Sequence, residues 1–428
     1  LDNRPGASLQ SCRGPTQPER EGPSPPAVVS RPPLTLLSYG AVKRRDGDTK
    51  SMGLALRLAA RGEGFTSPNP MVGAVIVSGN RIVGQGYHRR VGGPHAEQFA
   101  LHGAGRRARG ATLYVTPEPC HHFHKRTPPC VSSIIAAGLR RVVVAMRDPN
   151  PLVSGRGIRR LRQAGLRVDV GCLQKEAEGL NERYIHWMRT GRPFVILKAA
   201  MTLDGQIATA SGESRWITGP AARRHVHRLR RRMDAVLVGV GTVLRDDPHL
   251  TVRLGPAQAS GRAVRQPLRV ILDSTLRIPF SARVLRPSGS AVSPVRTVVM
   301  TTTRAPQRRI ERLRARRVSV LVVPARRGRV SLHACLDQLG QLGITGLLIE
   351  GGSEVNACAL REGLVNRVML YVAPSLLGGQ DAKGIMGGRA PAQLEDSIRV
   401  SDLRIRRVGT DYLIEGIPRS SRDRGLHG

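Results

Sequence analysis

The chain has 428 residues, too many for one ordinary hydrophobic core, and this length predicts two domains. A hydrophobic fraction of 40% is typical of a globular protein, and no apolar run reaches the roughly 18 residues of a membrane helix. The formal net charge of +37 comes mainly from arginines spread along the chain, and aromatic residues make up only 3%. Nucleic-acid sites interleave basic stripes with stacking aromatics, so we expect a solvated basic surface that attracts small phosphorylated substrates, without dedicated nucleic-acid binding.

Residues 1–50 are rich in Pro, Arg, Ser and Gly and lack helical or strand periodicity. Such a segment cannot offset its ordering entropy by burial, so it predicts a disordered extension that can be removed without loss of activity. The six cysteines are scattered, which is not a disulfide framework and favours a reducing cytoplasm. Cys120 and Cys130 form the one close pair, for which metal binding or catalysis is the better use.

From Ser51 the pattern becomes regular, in the order α-β-β-α-β-α-β. Strands are predicted at 71–77 and 81–88 around a Gly79-Asn80 hairpin turn, and again at 111–116. Prolines open the following helices at Pro94 and Pro128-Pro129. This order predicts an α/β/α sandwich over 51–192, in which 148–191 contributes turns, one helical stretch and the link to the second half.

The second half, predicted to span 193–418 before a short tail at 419–428, alternates apolar strands with helices. Near-continuous apolar strands of this kind predict a mainly parallel sheet covered on both faces. The strands are expected at 194–201, 235–241, 268–274, 297–302, 318–324, 346–352 and 367–374, and the helices near 219–232, 331–343 and 353–364.

Four residues of the first half have the chemistry of a hydrolytic deaminase. His95 and Glu97 fall in the first turn of a predicted helix, and Cys120 and Cys130 lie after a strand and at the next helix start. Such an enzyme needs Zn²⁺ with three protein ligands and a water, plus a carboxylate that moves protons without binding metal. H-x-E followed by P-C is the corresponding pattern. The alternative is a zinc-stabilised protein without catalysis, in which Glu97 is accidental.

Nine residues separate the two cysteines, where nucleic-acid deaminases usually have two, and the loop ends in R-T-P-P-C. With the upstream run Pro68, Asn69, Pro70, Val72 and Gly73, this half resembles the deaminase of riboflavin biosynthesis. The resemblance continues to about Pro418 through MTLDGQIATASGESRWITG, GVGTVLRDDPHLTVR, LDS and LIEGGSEVN. The chain is therefore identified as similar to the bifunctional deaminase/reductase family of that pathway.

The resemblance implies a cytidine-deaminase-like sandwich joined to an NADPH-dependent reductase with a dihydrofolate-reductase-like fold. The first domain would deaminate a diaminopyrimidinone ribosylamino 5′-phosphate, and the second would reduce the ribosyl group to ribityl. In the first, Asn69, His122 and Arg126 would contact substrate, although Asn69 also fits a turn residue between prolines.

In the reductase, the resemblance implies two sets of binding residues. Substrate would be bound by Ser214, Arg230, Leu250, Arg253 and Glu350. Cofactor would be bound by Ala200, Trp216, Thr242, Asp246, Ser274, Gly352, Ser353 and Glu354. Lys198 is the candidate to polarise or protonate the ribose, with an ordinary strand-edge lysine as the alternative. Asp246 also fits a helix-end turn and Trp216 a core position. Gly351-Gly352 lies between a strand and a helix, so its N–H groups can approach a pyrophosphate, although the G-x-G-x-x-G pattern is absent.

The loop from Cys120 to Arg126 departs from the family, because it is one residue longer and lacks a glycine. We expect this change to weaken substrate binding and to leave the metal in place, with His124 as the alternative zinc ligand. The main alternative for the whole chain is a zinc deaminase acting on nucleic acid through a basic module. The sequence is also compatible with a homo-oligomer.

Overall fold

The structure is a computed structural model that describes residues 46–121, 129–255, 264–287, 289–290, 293–294 and 296–419. Its first helix begins at Asp46, so residues 46–50, which the sequence assigned to the extension, belong to the N-terminal domain. Residues 1–45 and the tail from 420 lie outside the described residues, and their predicted disorder stays a prediction. Within the described part of the chain, no helix is both long enough and apolar enough for a bilayer crossing.

The N-terminal domain is a five-stranded sheet in the order β2-β1-β3-β4-β5. Its strands are β1 Gly73–Ser78, β2 Arg81–Tyr87, β3 Thr112–Pro117, β4 Arg141–Met146 and β5 Arg167–Val170. Its helices are α1 Asp46–Ala60, α2 Ala96–Ala104, α3 Cys130–Ala136, α4 Arg156–Gln163, α5 Gln174–Leu180 and α6 Glu182–Thr190. The predicted order and the hairpin turn are confirmed, and Gly79 has the positive φ of 57° that such a turn requires.

Residues 148–191 hold more regular structure than the single helical stretch expected from sequence. They form α4, α5 and α6, and β5 extends the sheet as an edge strand parallel to β4. The arginine-rich sequence of α4 concealed its apolar face, which consists of Ile158 and Leu161.

The C-terminal domain is built on a nine-stranded sheet in the order β13-β12-β9-β8-β16-β6-β17-β20-β19. Its long strands are β6 Phe194–Met201, β8 Ala235–Gly239, β9 Leu268–Leu272, β12 Thr297–Thr301, β13 Ser319–Val322, β16 Gly346–Ile349, β17 Arg367–Val372, β19 Arg399–Val408 and β20 Asp411–Arg419. Short strand pairs are β7 Gln206–Ala208 with β18 Lys383–Gly384, β10 Gly289–Ser290 with β11 Ser293–Pro294, and β14 Ala325–Arg326 with β15 Arg329–Val330. The helices are α7 Pro220–Arg232, α8 Val240–Asp246, α9 Gln307–Ala315, α10 Leu332–Gln341 and α11 Ser353–Arg361.

Burial on both faces explains the apolar strands of this sheet. Along β6, Phe194 and Ile196 join one core cluster, whereas Val195 and Leu197 join the other. Successive side chains of a strand point to opposite faces, so a strand in the middle of such a sheet must be apolar throughout. Pairing is parallel from β13 to β17 and antiparallel only at the edge formed by β20 and β19, which confirms the predicted mainly parallel sheet.

The two domains contact each other through α6 and the segment before β1. The indole Nε1 of Trp187 donates to the carbonyl of Gly340 at 3.0 Å. Glu182 pairs with Arg367 at 2.7 Å. These contacts join the last helix of the N-terminal domain to α10 and β17 of the C-terminal domain.

Candidate functional site

Three element ends bring His95, Cys120 and Cys130 together. His95 directly precedes α2, Cys120 follows β3, and Cys130 is the first residue of α3. His95 is therefore an extended residue before the helix, where the sequence had placed it in the first turn. One ligand atom from each of the three residues lies within 4.8 Å of the others.

The distances among these donors are within about 0.4 Å of those around a tetrahedral zinc ion. His95 Nδ1 is 3.1 Å from Cys130 Sγ and 3.5 Å from Cys120 Sγ. With Zn–S near 2.3 Å and Zn–N near 2.0 Å, tetrahedral geometry separates such donors by about 3.5 to 3.8 Å. One imidazole and two thiolates also match zinc in ligand softness.

The two thiols have unequal acidity. The thiol of Cys130 donates a hydrogen bond to Cys120 Sγ and lowers the pKa of Cys120 to about 3. The backbone N–H of Cys130 adds a second donor at 3.5 Å. The same bond and burial raise the pKa of Cys130. A thiolate thus forms readily at this point, as metal binding requires.

Glu97 lies in the first turn of α2 and is only 2% exposed. Burial raises the pKa of its carboxyl, and the nearby Cys120 thiolate adds to that effect. Its Oε2 is buried and has no hydrogen-bond partner among the described residues. A buried carboxylate with a free oxygen beside three metal donors can carry protons in a hydrolytic reaction.

Asn69 approaches this cluster through a histidine that sequence reasoning missed. Its Nδ2 is 3.5 Å from His88 Nε2, and the other ring nitrogen of His88 is 3.1 Å from the carbonyl of Pro94. The rings of His88 and His95 meet edge to face, with centroids 5.5 Å apart. In the sequence, His88 is marked only by its position directly after β2, and it belongs to no motif of fixed spacing. The predicted residues His122 and Arg126 lie outside the described residues.

A cleft of about 1270 Å³ opens in the C-terminal domain at the carboxyl ends of β6, β8 and β16. Ligands of open α/β sheets bind at this end of parallel strands. The cleft is lined by every reductase residue that the sequence predicted, namely Lys198, Ala200, Ser214, Trp216, Arg230, Thr242, Asp246, Leu250, Arg253, Ser274, Glu350, Gly352, Ser353 and Glu354. It also includes His227, which sequence reasoning missed although it lies three residues before Arg230 on α7.

An ion pair forms the floor of this cleft. Arg230 donates from Nη2 to Glu350 Oε2 at 2.8 Å, and from Nη1 to the carbonyl of Thr251 at 3.0 Å. Burial acts to raise the pKa of Glu350, but Arg230 outweighs it and the pKa is lowered. Burial lowers the pKa of Lys198, and Glu350 opposes that change. Arg253 is exposed in the cleft, so it is the cation better placed for an incoming anion.

The turn after β16 brings backbone close to the cleft. Gly351 and Gly352 have φ values of 155° and 84°, and a Cβ on Gly351 would lie 3.2 Å from Thr242 Oγ1. Gly352 directly precedes α11, so the first N–H groups of this helix face the cleft. Nearby, Ser214 Oγ donates to Asp246 Oδ1 at 3.1 Å, and Trp216 is 68% exposed, which removes the core-packing alternative.

Two family models match the chain. The RibD C-terminal domain matches residues 193–414, and the cytidine and deoxycytidylate deaminase zinc-binding region matches residues 45–146. Riboflavin biosynthesis protein RibD of Aquifex aeolicus is 44% identical over 86% of this chain and 98% of its own length. RibD of Escherichia coli is 43% identical over 86% of this chain and 98% of its own length.

Solved structures agree. RibD of Acinetobacter baumannii (form 2) superimposes with a TM-score of 0.78 at 39% identity, covering 87% of this chain and 99% of the other. A diaminohydroxyphosphoribosylaminopyrimidine deaminase/5-amino-6-(5-phosphoribosylamino)uracil reductase of Thermotoga maritima gives 0.74 at 35% identity, covering 87% and 99%. The two halves are a zinc-dependent deaminase and an NADPH-dependent reductase. The chain belongs to the RibD family, the bifunctional deaminase/reductases of riboflavin biosynthesis.

Proposed function

We propose that the chain first deaminates 2,5-diamino-6-(5-phosphoribosylamino)pyrimidin-4-one and then reduces the ribosyl group of the product to ribityl. The observation that carries the deaminase half is the cluster of His95, Cys120 and Cys130 with the buried carboxyl of Glu97 beside it. The relative from Thermotoga maritima, whose name states both reactions, supports the choice of substrate.

In the deaminase site, His95, Cys120 and Cys130 would hold zinc, which when bound lowers the pKa of a water molecule. Glu97 takes the proton of the attacking water at its free Oε2 and delivers it to the departing amino nitrogen. Burial suits this task because it raises the pKa of the Glu97 carboxyl, which makes the carboxylate a better acceptor for the proton of water. Asn69 would orient the pyrimidine, with His122 and Arg126 of the adjoining loop as further substrate contacts.

In the reductase cleft, bound NADPH supplies the hydride. The N–H groups at the start of α11, from Gly352 to Glu354, would bind its pyrophosphate, with the hydroxyl of Thr242 beside this turn. The other proposed cofactor contacts are Ala200, Trp216, Asp246 and Ser274. Their shared position along one cleft supports this assignment.

Substrate in the same cleft would be held by Arg253 at its phosphate, with Ser214 and Leu250 alongside. Arg230 and Glu350 bind each other in two hydrogen bonds, so we assign them to the ribose hydroxyls and to the electrostatics of the cleft floor. Lys198 would hold a proton at Nζ close to the carbon that receives hydride. A lysine whose pKa is lowered by burial gives up that proton more easily.

The proposal also covers the arginine excess of the chain and its location in the cell. Many arginines are already paired within the fold, for example Arg141 with Asp48 and Arg192 with Asp337. This use of arginine supports a chain without a dedicated nucleic-acid site, acting on a small phosphorylated pyrimidine. The described cysteines are free thiols, two of them in the metal cluster, which supports a cytoplasmic location.

Two variants that serve as controls for each other test these roles. Glu97→Gln should lower deamination by roughly 10²-fold to 10⁴-fold and leave reduction of supplied deaminated substrate near wild type. Lys198→Met should do the reverse, because the two residues belong to separate domains, Glu97 on α2 and Lys198 on β6. Both turnover numbers are measured on each variant by product chromatography. Near-normal deamination by Glu97→Gln, or near-normal reduction by Lys198→Met, would remove that residue from the mechanism.

A further inference from the structure

The segment that carries Asn69 is anchored on the reductase domain. Ser67 Oγ donates to Asp234 Oδ2 at 2.7 Å across the domain boundary. Asp234 lies between α7 and β8 and is 5% exposed. Ser67 Oγ also lies 3.2 Å from the hydroxyl oxygen of Thr345, so two reductase side chains contact it.

Asp234 itself is held rigidly. Its Oδ2 also accepts from the N–H and the hydroxyl of Thr345, at 3.0 and 2.8 Å, and from the N–H of Gly346 at 3.1 Å. Its Oδ1 accepts from Arg265 Nη1 at 3.0 Å. A buried carboxylate with this many donors has one orientation, so Ser67 is bound to a fixed point of the reductase sheet.

On its other side the same segment is fixed by the deaminase domain. The N–H of Met71 donates to Asn181 Oδ1 at 2.8 Å, and Asn181 Nδ2 donates back to the carbonyl of Met71 at 3.1 Å. Asn69 sits between the two anchors, with its N–H bonded to the carbonyl of Thr66 at 2.8 Å. Its side chain then reaches His88 and, through that ring, His95.

Close packing leaves little freedom near the first anchor. Gly64 has a φ of 80°, and a Cβ there would lie 2.7 Å from the carbonyl of Arg231 at the end of α7. Arg265 Nη1 also donates to the carbonyl of Gly64 at 3.2 Å. The same helix carries Arg230 into the reductase cleft. The end of α7 therefore supports both sites.

We propose that Asp234 of the reductase domain is a positioning residue for deamination, which acts through Ser67 to fix Asn69 against the pyrimidine. The inference rests on the proposed function, because it takes Asn69 as a substrate contact. Without the Ser67 hydroxyl, residues 66–70 lose their side-chain contacts with Asp234 and Thr345, and Asn69 samples positions that do not bind substrate. The effect falls on substrate binding, since the metal donors and Glu97 lie on other elements.

Ser67→Ala tests the anchor without touching the carboxylate. Loss of one hydrogen bond to a charged group should raise the KM of deamination by about 5-fold to 20-fold, with kcat, zinc content and both reductase constants within 2-fold of wild type. Ser67→Thr keeps the hydroxyl and should restore the KM. Ser331→Ala is the matched control, because it is the same substitution and removes a hydroxyl that accepts from the N–H of Ala334 inside the reductase domain, outside the contacts of Ser67 and Asp234. It should leave the KM of deamination unchanged.

Asn69→Ala separates this inference from the proposed function. If Asn69→Ala raises the KM and Ser67→Ala does not, the positioning role is overturned and the proposed substrate contact stands. If Asn69→Ala leaves the KM unchanged, the substrate contact fails and the positioning role fails with it. The double variant should be no worse than Asn69→Ala alone, because Ser67 acts through Asn69. Additive losses, or a rise in KM for Ser331→Ala equal to that of Ser67→Ala, would also overturn it.

Discussion

At the scale of single residues, chemistry at this deaminase site depends on where three regular elements begin or end. His95 and Cys130 belong to helix starts, and Cys120 follows a strand, so their positions are set by the fold and not by the loop between the cysteines. Residues 122–128 of that loop lie outside the described residues. Because the three donors stand at the ends of regular elements, we expect the extra residue of the loop to leave them in place.

The first prediction at this scale concerns the metal ligands. Cys130→Ser should lose zinc, because it removes a buried donor 3.1 Å from His95 Nδ1. His124→Ala should keep one zinc per chain. Metal content of the purified variants is measured by atomic emission. Loss of zinc in His124→Ala alone would mean that the longer loop supplies a ligand and has rewired the site.

Site residues that belong to a spaced pattern could be predicted from sequence, and isolated ones could not. His95, Glu97, Cys120 and Cys130 have a chemistry that needs all four at once, and the structure brings the three donors together. His88 was missed because a lone histidine after a strand carries no spacing signal. His227 was missed for the same reason, although it shares a helical face with Arg230.

At the scale of elements, the start of α11 joins local backbone geometry to cofactor binding. Gly352 adopts a φ of 84° that an L side chain rarely adopts, immediately before the N-terminus of this helix. This conformation sets the direction of the first N–H groups of the helix, which lies at the cleft. The helix start is therefore the element whose geometry matters most for the proposed pyrophosphate contact.

Gly352→Ala should weaken NADPH binding by roughly 10-fold or more, because relieving the strain of about 1 to 3 kcal/mol turns the backbone away from the cleft. Dissociation constants are measured by calorimetry with the intact chain. Gly179→Ala is the matched control, because Gly179 lies inside helix α5 with open space around it. An unchanged dissociation constant for Gly352→Ala would exclude this turn from cofactor binding.

Helix α1 shows why the boundary of the extension was misjudged. The sequence up to residue 50 has no apolar periodicity, but Asp48 is buried and accepts from Tyr114 Oη at 2.7 Å and from two nitrogens of Arg141 at 2.8 Å. These partners lie 66 and 93 residues away along the chain. Pattern reasoning over a short window cannot detect such a tertiary contact.

Two truncations test this boundary. Removing residues 1–45 should leave the thermal midpoint and both activities unchanged. Removing residues 1–50 should lower the midpoint by roughly 5 °C or more, because Tyr114 and Arg141 lose a buried carboxylate. Midpoints are compared by differential scanning calorimetry. Equal midpoints for the two truncations would contradict a stabilising role for Asp48.

At the scale of the whole molecule, the pattern of apolar runs predicted both architectures. Strands of a sheet that is buried on both faces are long apolar runs, which can be recognised in the sequence. Strand β6 is an example, because its predicted and observed bounds coincide. The hairpin of β19 and β20 was not predicted, because β19 is mostly exposed and carries arginines along its length. Helix α9, with the sequence QRRIERLRA, was missed because its polar residues hide a narrow apolar face.

The relation between the two domains could not be read from sequence at all. It depends on single contacts such as Trp187 with Gly340 and Ser67 with Asp234. The second of these contacts holds the deaminase segment 66–71 close to the end of α7. Under the positioning role proposed for Asp234, the deaminase site depends on a residue of the reductase domain.

The proposed function requires that one chain performs both deamination and reduction, in that order. Purified protein is mixed with the diaminopyrimidinone phosphate, with and without NADPH, and the product mass is measured. Without NADPH, exchange of an amino group for oxygen should add about 1 Da. With NADPH, a further gain of about 2 Da should follow from hydride and proton. An unchanged mass under both conditions, in protein that contains zinc, would contradict the account.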